Sequence, residues 1–94
     1  MVCISNNIKW KIIKRENVAF FFKYEPSSPE LLHIYVRHLA TVGQALWIWF
    51  NGKTNFNETY NRFETETETH CLYWNWMNVE KSKVMIITCF ERNK

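Results

Sequence analysis

Apolar and polar positions alternate along residues 8–15 (IKWKIIKR), with Trp10 and Ile12 on one side and Lys9 and Lys11 on the other. That period of two is the pattern of a β-strand with one wet face. A second β-branched and aromatic run follows over residues 17–25 (NVAFFFKYE), and Glu16-Asn17 between the two offers turn geometry, which predicts a hairpin. Phe20, Phe21 and Phe22 break the alternation, so the second strand is expected to be the more buried.

The period then lengthens. Ser27 and Glu30 stand three apart with Pro29 inside the first turn, a capping-box signature that predicts a helix from about Ser28 to Leu39. Thr41 and Gln44 repeat the signature. They predict a second helix from about Val42 to Phe50, closed at Asn51-Gly52 by a glycine in the left-handed conformation. The two helices would meet at an Ala40-Thr41 corner; a single bent helix is the competing reading. Phe56, Tyr60 and Phe63 fall at i, i+4 and i+7, a helical spacing, although Asn and Thr around them are poor helix formers and an edge strand stays open.

Glu64, Glu66 and Glu68 alternate with Thr65, Thr67 and Thr69, which predicts a charged edge strand with its acidic face in water. Residues 70–77 (HCLYWNWM) and 83–91 (KVMIITCFE) are of near-pure β composition and predict a second hairpin that sets Cys71 close to Cys89 or Phe90. The expected fold is α+β, one domain over residues 1–94: an antiparallel four- to five-stranded sheet with two or three short helices packed on one face. The apolar side of those helices is read as Leu32, Val36, Leu39, Leu46, Trp49 and Phe50.

Composition narrows the function classes. Of the 94 residues 17% are aromatic and the formal charge is only +3, which excludes a disordered chain. No apolar run approaches the roughly 20 residues of a membrane-spanning helix. The N-terminal residues lack the form of a secretory leader, and Cys3, Cys71 and Cys89 make an odd set with no CxxC. Together these point to a cytoplasmic protein with reduced thiols and no membrane partner. With two glycines there is no phosphate-loop or dinucleotide fingerprint, and no metal-ligand spacing is present, so neither a cofactor nor a metal is expected. Residues 1–50 carry six Lys or Arg against three Glu, and residues 51–94 carry six against six, so the basic excess is N-terminal.

The chemistry-bearing cluster is His33, Arg37 and His38. Four residues apart on a helix, His33 and Arg37 project from one face, while His38 points away from His33. An imidazole that exchanges a proton near neutral pH beside a guanidinium that holds phosphate oxygens suits phosphodiester chemistry. His33 is the candidate general acid or base and Arg37 the candidate phosphate holder; His38, Arg62, Lys9 and Lys11 are the candidate substrate-binding cations. The competing account is structural, with the histidines as ordinary helix residues and Arg37 paired with Glu25 or Glu30.

The segment HIYVRHLATVGQALWIWFNG with the C-terminal VMIITCFER resembles the small helix-then-strands ribonuclease toxins of bacterial toxin–antitoxin modules, the BrnT-like branch of the RelE superfamily. The resemblance covers roughly residues 30–91 and rests on His33, Arg37 and His38, the helix from Thr41 to Asn51, and Val84 to Phe90; Leu39 stands where the related pattern commonly has Gly. It implies a metal-independent endoribonuclease that cleaves RNA through 2′-hydroxyl attack and is held inactive by a cognate antitoxin. Two other functions fit the residues. One is a non-enzymatic binding protein, antitoxin-like, anti-defence or adaptor, that grips a protein partner through aromatics around Trp47, Tyr73 and Trp76. The other is single-stranded RNA binding without cleavage, with Lys and aromatic side chains on a sheet. A homodimer is left open.

Overall fold

The computed structural model describes residues 9–92. The chain runs β1 (Trp10–Arg15), β2 (Val18–Glu25), β3 (Ser28–Leu32), α1 (His33–His38), α2 (Val42–Asn51), β4 (Lys53–Asn57), β5 (Arg62–Glu66), β6 (His70–Trp76) and β7 (Lys83–Glu91). It is an α+β fold. Six strands follow the order β1-β2-β7-β6-β5-β4, and β3 pairs with β2 beside that path. Every pairing is antiparallel except β2 with β7, which is parallel. The sheet is thus seven-stranded and mixed, larger than the antiparallel four or five strands expected. The added strands come from segments read as helix, and the parallel pair joins two hairpins distant in sequence.

The first hairpin forms as its pattern predicts. Glu16 and Asn17 both take positive φ, 51° and 67°, the left-handed pair of a two-residue turn that matches strand twist. Phe20 and Phe22 are fully buried while Phe21, on the other face, is half-exposed. Phe20, Phe22, Leu72, Trp74, Val84 and Ile86 form the covered side of the sheet and pack with Ala45, Leu46 and Ile48 of α2 and Ile34 of α1. Of the apolar helical side expected, Leu46 is buried and Leu32 and Trp49 pack against the core, while the other three residues do not. Val36 and Leu39 are exposed because α1 starts later than the capping signature suggested and its inward residue is Ile34; Phe50, near the end of α2, is exposed as well.

That late start is the main correction. Residues 28–32 are a strand, since Glu25 pairs with Ser28 and Tyr24 with Leu32 across the bend at Pro26-Ser27. Backbone pairing to β2 overrides the Ser27–Glu30 signature, and α1 begins at His33 behind Leu32 without a side-chain cap. The second box does form: Gln44 N–H donates to Thr41 Oγ1 at 3.1 Å, and Thr41 N–H donates to Gln44 Oε1 at 3.0 Å. Gly52 ends α2 with extended backbone, φ −83°, so it is not there for left-handed freedom. A Cβ would lie 2.7 Å from Thr65 Cγ2 and 2.8 Å from two carbonyl oxygens, so close approach to β5 is what excludes a larger residue.

Residues 53–66 are a hairpin and not a helix. Phe56 and Phe63 are cross-strand partners with ring centroids 4.9 Å apart, so their seven-residue spacing coincides with a helical one for a different reason. The acidic run is not an edge: β5 lies between β4 and β6, Glu68 sits in the following turn, and Glu64 is half-buried in an ion pair. Thr65 faces the core, where its hydroxyl accepts from Trp74 Nε1 at 2.8 Å and bonds Thr54 Oγ1 at 2.7 Å. The last hairpin pairs Cys71 with Phe90 and Leu72 with Cys89, which places the two thiols on opposite faces, both free. Cys3 lies outside the described residues.

Candidate functional site

Strand β2 ends at Glu25, whose side chain is 5% exposed. A buried carboxylate needs partners, and α1 supplies two. His33 Nδ1 lies 3.1 Å and Arg37 Nε 3.2 Å from the same oxygen, Oε1. Their i, i+4 spacing on one short helix brings both to Glu25. Had the helix started at Ser28, His33 would stand beyond its first turn; β3 instead puts it at the first helical residue, facing back to the end of β2.

Burial alone would push the Glu25 carboxyl up. The hydrogen bond from His33, the Arg37 charge and hydrogen bond, and the Ser27 backbone N–H together outweigh it and hold the carboxyl below its ordinary value. Glu25 is therefore ionised at neutral pH and can only accept, which assigns a proton to His33 Nδ1. Two consequences follow for chemistry. His33 Nε2 makes no hydrogen bond with a described residue, and its side chain is 30% exposed. Arg37 binds Glu25 through Nε, so its two terminal nitrogens are unengaged among the described residues and its side chain is 60% exposed. A carboxylate that fixes the tautomer of an imidazole, with a guanidinium fork alongside, is the arrangement used to move a proton next to a held phosphate.

The other candidate cations are dispersed. His38 packs on Phe90, ring centroids 5.7 Å apart. Arg62 is on β5, three strands across the sheet from β2. It is neutralised by Glu64 at 2.8 Å and lies between the rings of Tyr60 and Tyr73, at 4.5 and 3.8 Å. Asn57 Nδ2 donates to the same Glu64 oxygen at 3.0 Å, so Arg62 belongs to a closed cluster. Burial, then the Glu64 charge, push the Tyr73 phenol up despite Arg62. Lys11 lines a shallow groove with Leu31, Tyr35 and Val42, which His33 and Arg37 do not line. Lys9 is exposed at the start of β1, its carbonyl accepting from Tyr24 N–H at 3.2 Å, one residue before Glu25. Lys9 and Lys11 both adjoin the end of β2, Lys11 through the groove it shares with Tyr24.

Glu25 is the residue sequence reasoning did not place in the site, although it appeared as one of two structural partners for Arg37. Its signal is faint: a carboxylate ending an apolar strand immediately before Pro26. Among the described residues no three His, Cys, Asp or Glu side chains gather as a metal site would require. Nor do Trp47, Tyr73 and Trp76 share a surface. Trp47 is exposed on α2, Tyr73 lies on the sheet face opposite α2 against Arg62, and Trp76 packs on Trp49 and Trp74 under α2. No helix among the described residues is long and apolar enough to cross a membrane. No family model, no curated protein and no solved structure matches the chain.

Proposed function

We propose that the protein is an endoribonuclease whose site is Glu25, His33 and Arg37. The observation that carries this reading is the shared Glu25 Oε1, which orients the imidazole and the guanidinium while leaving His33 Nε2 and the Arg37 fork available. His33 Nε2 takes the proton from the ribose 2′-hydroxyl as that oxygen attacks the adjacent phosphorus; the P–O5′ bond breaks, leaving a 2′,3′-cyclic phosphate, and the departing 5′-oxygen takes a proton from water. Arg37 holds the non-bridging oxygens, where negative charge grows in the transition state. Glu25 stabilises the imidazolium that forms, a positioning role without contact to RNA. The reading agrees with the resemblance to BrnT-like toxins. It makes RNA the substrate, the cytoplasm the place of action, and a cognate antitoxin the inhibitory protein partner.

The test uses purified protein and labelled single-stranded RNA in EDTA, because acid–base catalysis of this kind needs no divalent ion. Cleavage leaving a 2′,3′-cyclic phosphate, blocked by a 2′-deoxy substitution at the cut, is the expected result. His33→Ala should slow it by roughly 10²–10⁴-fold. Arg37→Ala should cost about 2–4 kcal/mol in the transition state. An inert native protein across varied RNAs, with no inhibitory partner present, would sink the reading.

A further inference from the structure

We propose that the sheet face opposite α2, where the start of β2 lies between β1 and β7, is a platform for single-stranded RNA. Pairing register fixes which residues share that face. Trp10 lies opposite Lys23, Ile12 opposite Phe21, and Lys14 opposite Ala19, while β7 continues the rows with Lys83 beside Ala19. The patch therefore combines two aromatic rings, Trp10 and Phe21, with three lysines. The rings meet edge to face at 6.1 Å, and both are only half-buried. α2 packs on the other face, against Phe20 and Phe22, and α1 meets this face at the far end of β2 and β7, where His33 and Arg37 bond Glu25 and His38 packs on Phe90.

Charge identifies the occupant. Lys14, Lys23 and Lys83 are exposed, and none has a carboxylate partner among the described residues. The same face changes sign across the sheet: on β5, Arg62 is neutralised by Glu64, and Glu66 follows two residues later. A polyanion is thus directed to the β1–β2–β7 end. A half-buried, edge-to-face aromatic pair next to unpaired lysines suits a stacked base on a phosphate backbone. A duplex hides its bases and could use only the lysines. β2 also carries the platform toward the proposed catalytic group, because Lys23 precedes Glu25 by two residues, about 7 Å of strand. The choice of RNA over DNA rests on the cleavage reading above.

Binding is measured by fluorescence anisotropy with a short 2′-O-methyl oligonucleotide, which cannot be cut, so that binding and cleavage succeed or fail separately. The native chain should bind it at low salt and bind a duplex of equal length more weakly. Phe21→Ala should weaken binding about tenfold or more, the equivalent of one stacked base. The exposed triple variant Lys14→Gln, Lys23→Gln, Lys83→Gln should lower the dependence of log Kd on log salt by about 0.7 per lysine removed. Lys53→Gln, on the far edge strand, should leave binding nearly unchanged. If Phe21→Ala fails to fold, the triple variant decides alone. No binding by the native chain, a triple variant that binds like it, or equal affinity for the duplex would each overturn the platform, whatever the cleavage assay gives.

Discussion

Leu39 holds its backbone at φ 57°, the left-handed geometry that closes α1, with its N–H bonded to Tyr35 O at 2.8 Å and the next N–H, of Ala40, to Ile34 O at 3.1 Å. Its side chain is 73% exposed and contributes little to the core. Left-handed backbone costs a non-glycine residue about 1–2 kcal/mol, and glycine's extra freedom in the unfolded chain offsets roughly 0.5–1 of that. Leu39→Gly should therefore raise stability in denaturant unfolding by up to about 1 kcal/mol, and a loss would mean that the exposed leucine makes contacts of its own. Trp49 shows the opposite balance at a buried site. Its N–H has no hydrogen-bond partner among the described residues, yet its ring packs edge to face against Phe20, Phe50, Trp74 and Trp76. The aromatic contacts outweigh an unmade hydrogen bond.

At the scale of elements, the legible parts were those whose signal is local. The two-residue turn at Glu16-Asn17, the Thr41–Gln44 box and the hairpin over 70–91 each carry their signal within the segment itself, as a turn pair, a reciprocal cap and near-pure β composition, and each forms. Segments where strand pairing overrides a helical pattern were misread or left open: 28–32 because β2 captures it, and 53–64, read as helix or edge strand, because a cross-strand Phe pair mimics helical spacing. The site divides the same way. His33 and Arg37 were readable from helix geometry, whereas Glu25 needs the β2–β3 bend to reach them. The two glycines test this distinction between local and tertiary causes. Gly43, near the start of α2, would give a Cβ no neighbour closer than Thr41 Oγ1 at 3.9 Å, whereas at Gly52 three atoms would lie within 2.8 Å. Gly43→Ala should stabilise by about 0.4–1 kcal/mol through the unfolded chain. Gly52→Ala should destabilise by about 1–3 kcal/mol, because Thr65 and two carbonyls must give way. Equal effects in thermal melts would show that both positions obey helix propensity alone.

For the whole molecule, titration sets limits on both sides of neutrality, and the two limits arise at different groups. The Glu25 carboxyl is held below the value of about 4.3 it has in the unfolded chain. Its contribution is therefore complete above that unfolded value and disappears as pH falls through the lower, folded one. Cys89 works in the other direction. Burial, with the Cys71 charge adding to it, pushes its thiol up to about 11, against about 8.5 when unfolded. Stability that depends on the neutral thiol is complete below about 8.5 and is lost as pH rises toward 11. Burial raises the Cys71 thiol as well, with the Glu66 charge adding to it, and so steepens the alkaline loss. A plot of melting temperature against pH should be flat between the two regions and fall on either side. Glu25→Gln should lower the plateau and flatten the acid side, because no ionised carboxylate remains to be protonated, while the alkaline side stays as in the native chain. Cys89→Ala should do the reverse, softening the alkaline fall without changing the acid one. An acid limb that keeps its native steepness in Glu25→Gln would show that other carboxylates govern acid unfolding, and that the His33–Glu25–Arg37 cluster does not tie α1 to β2.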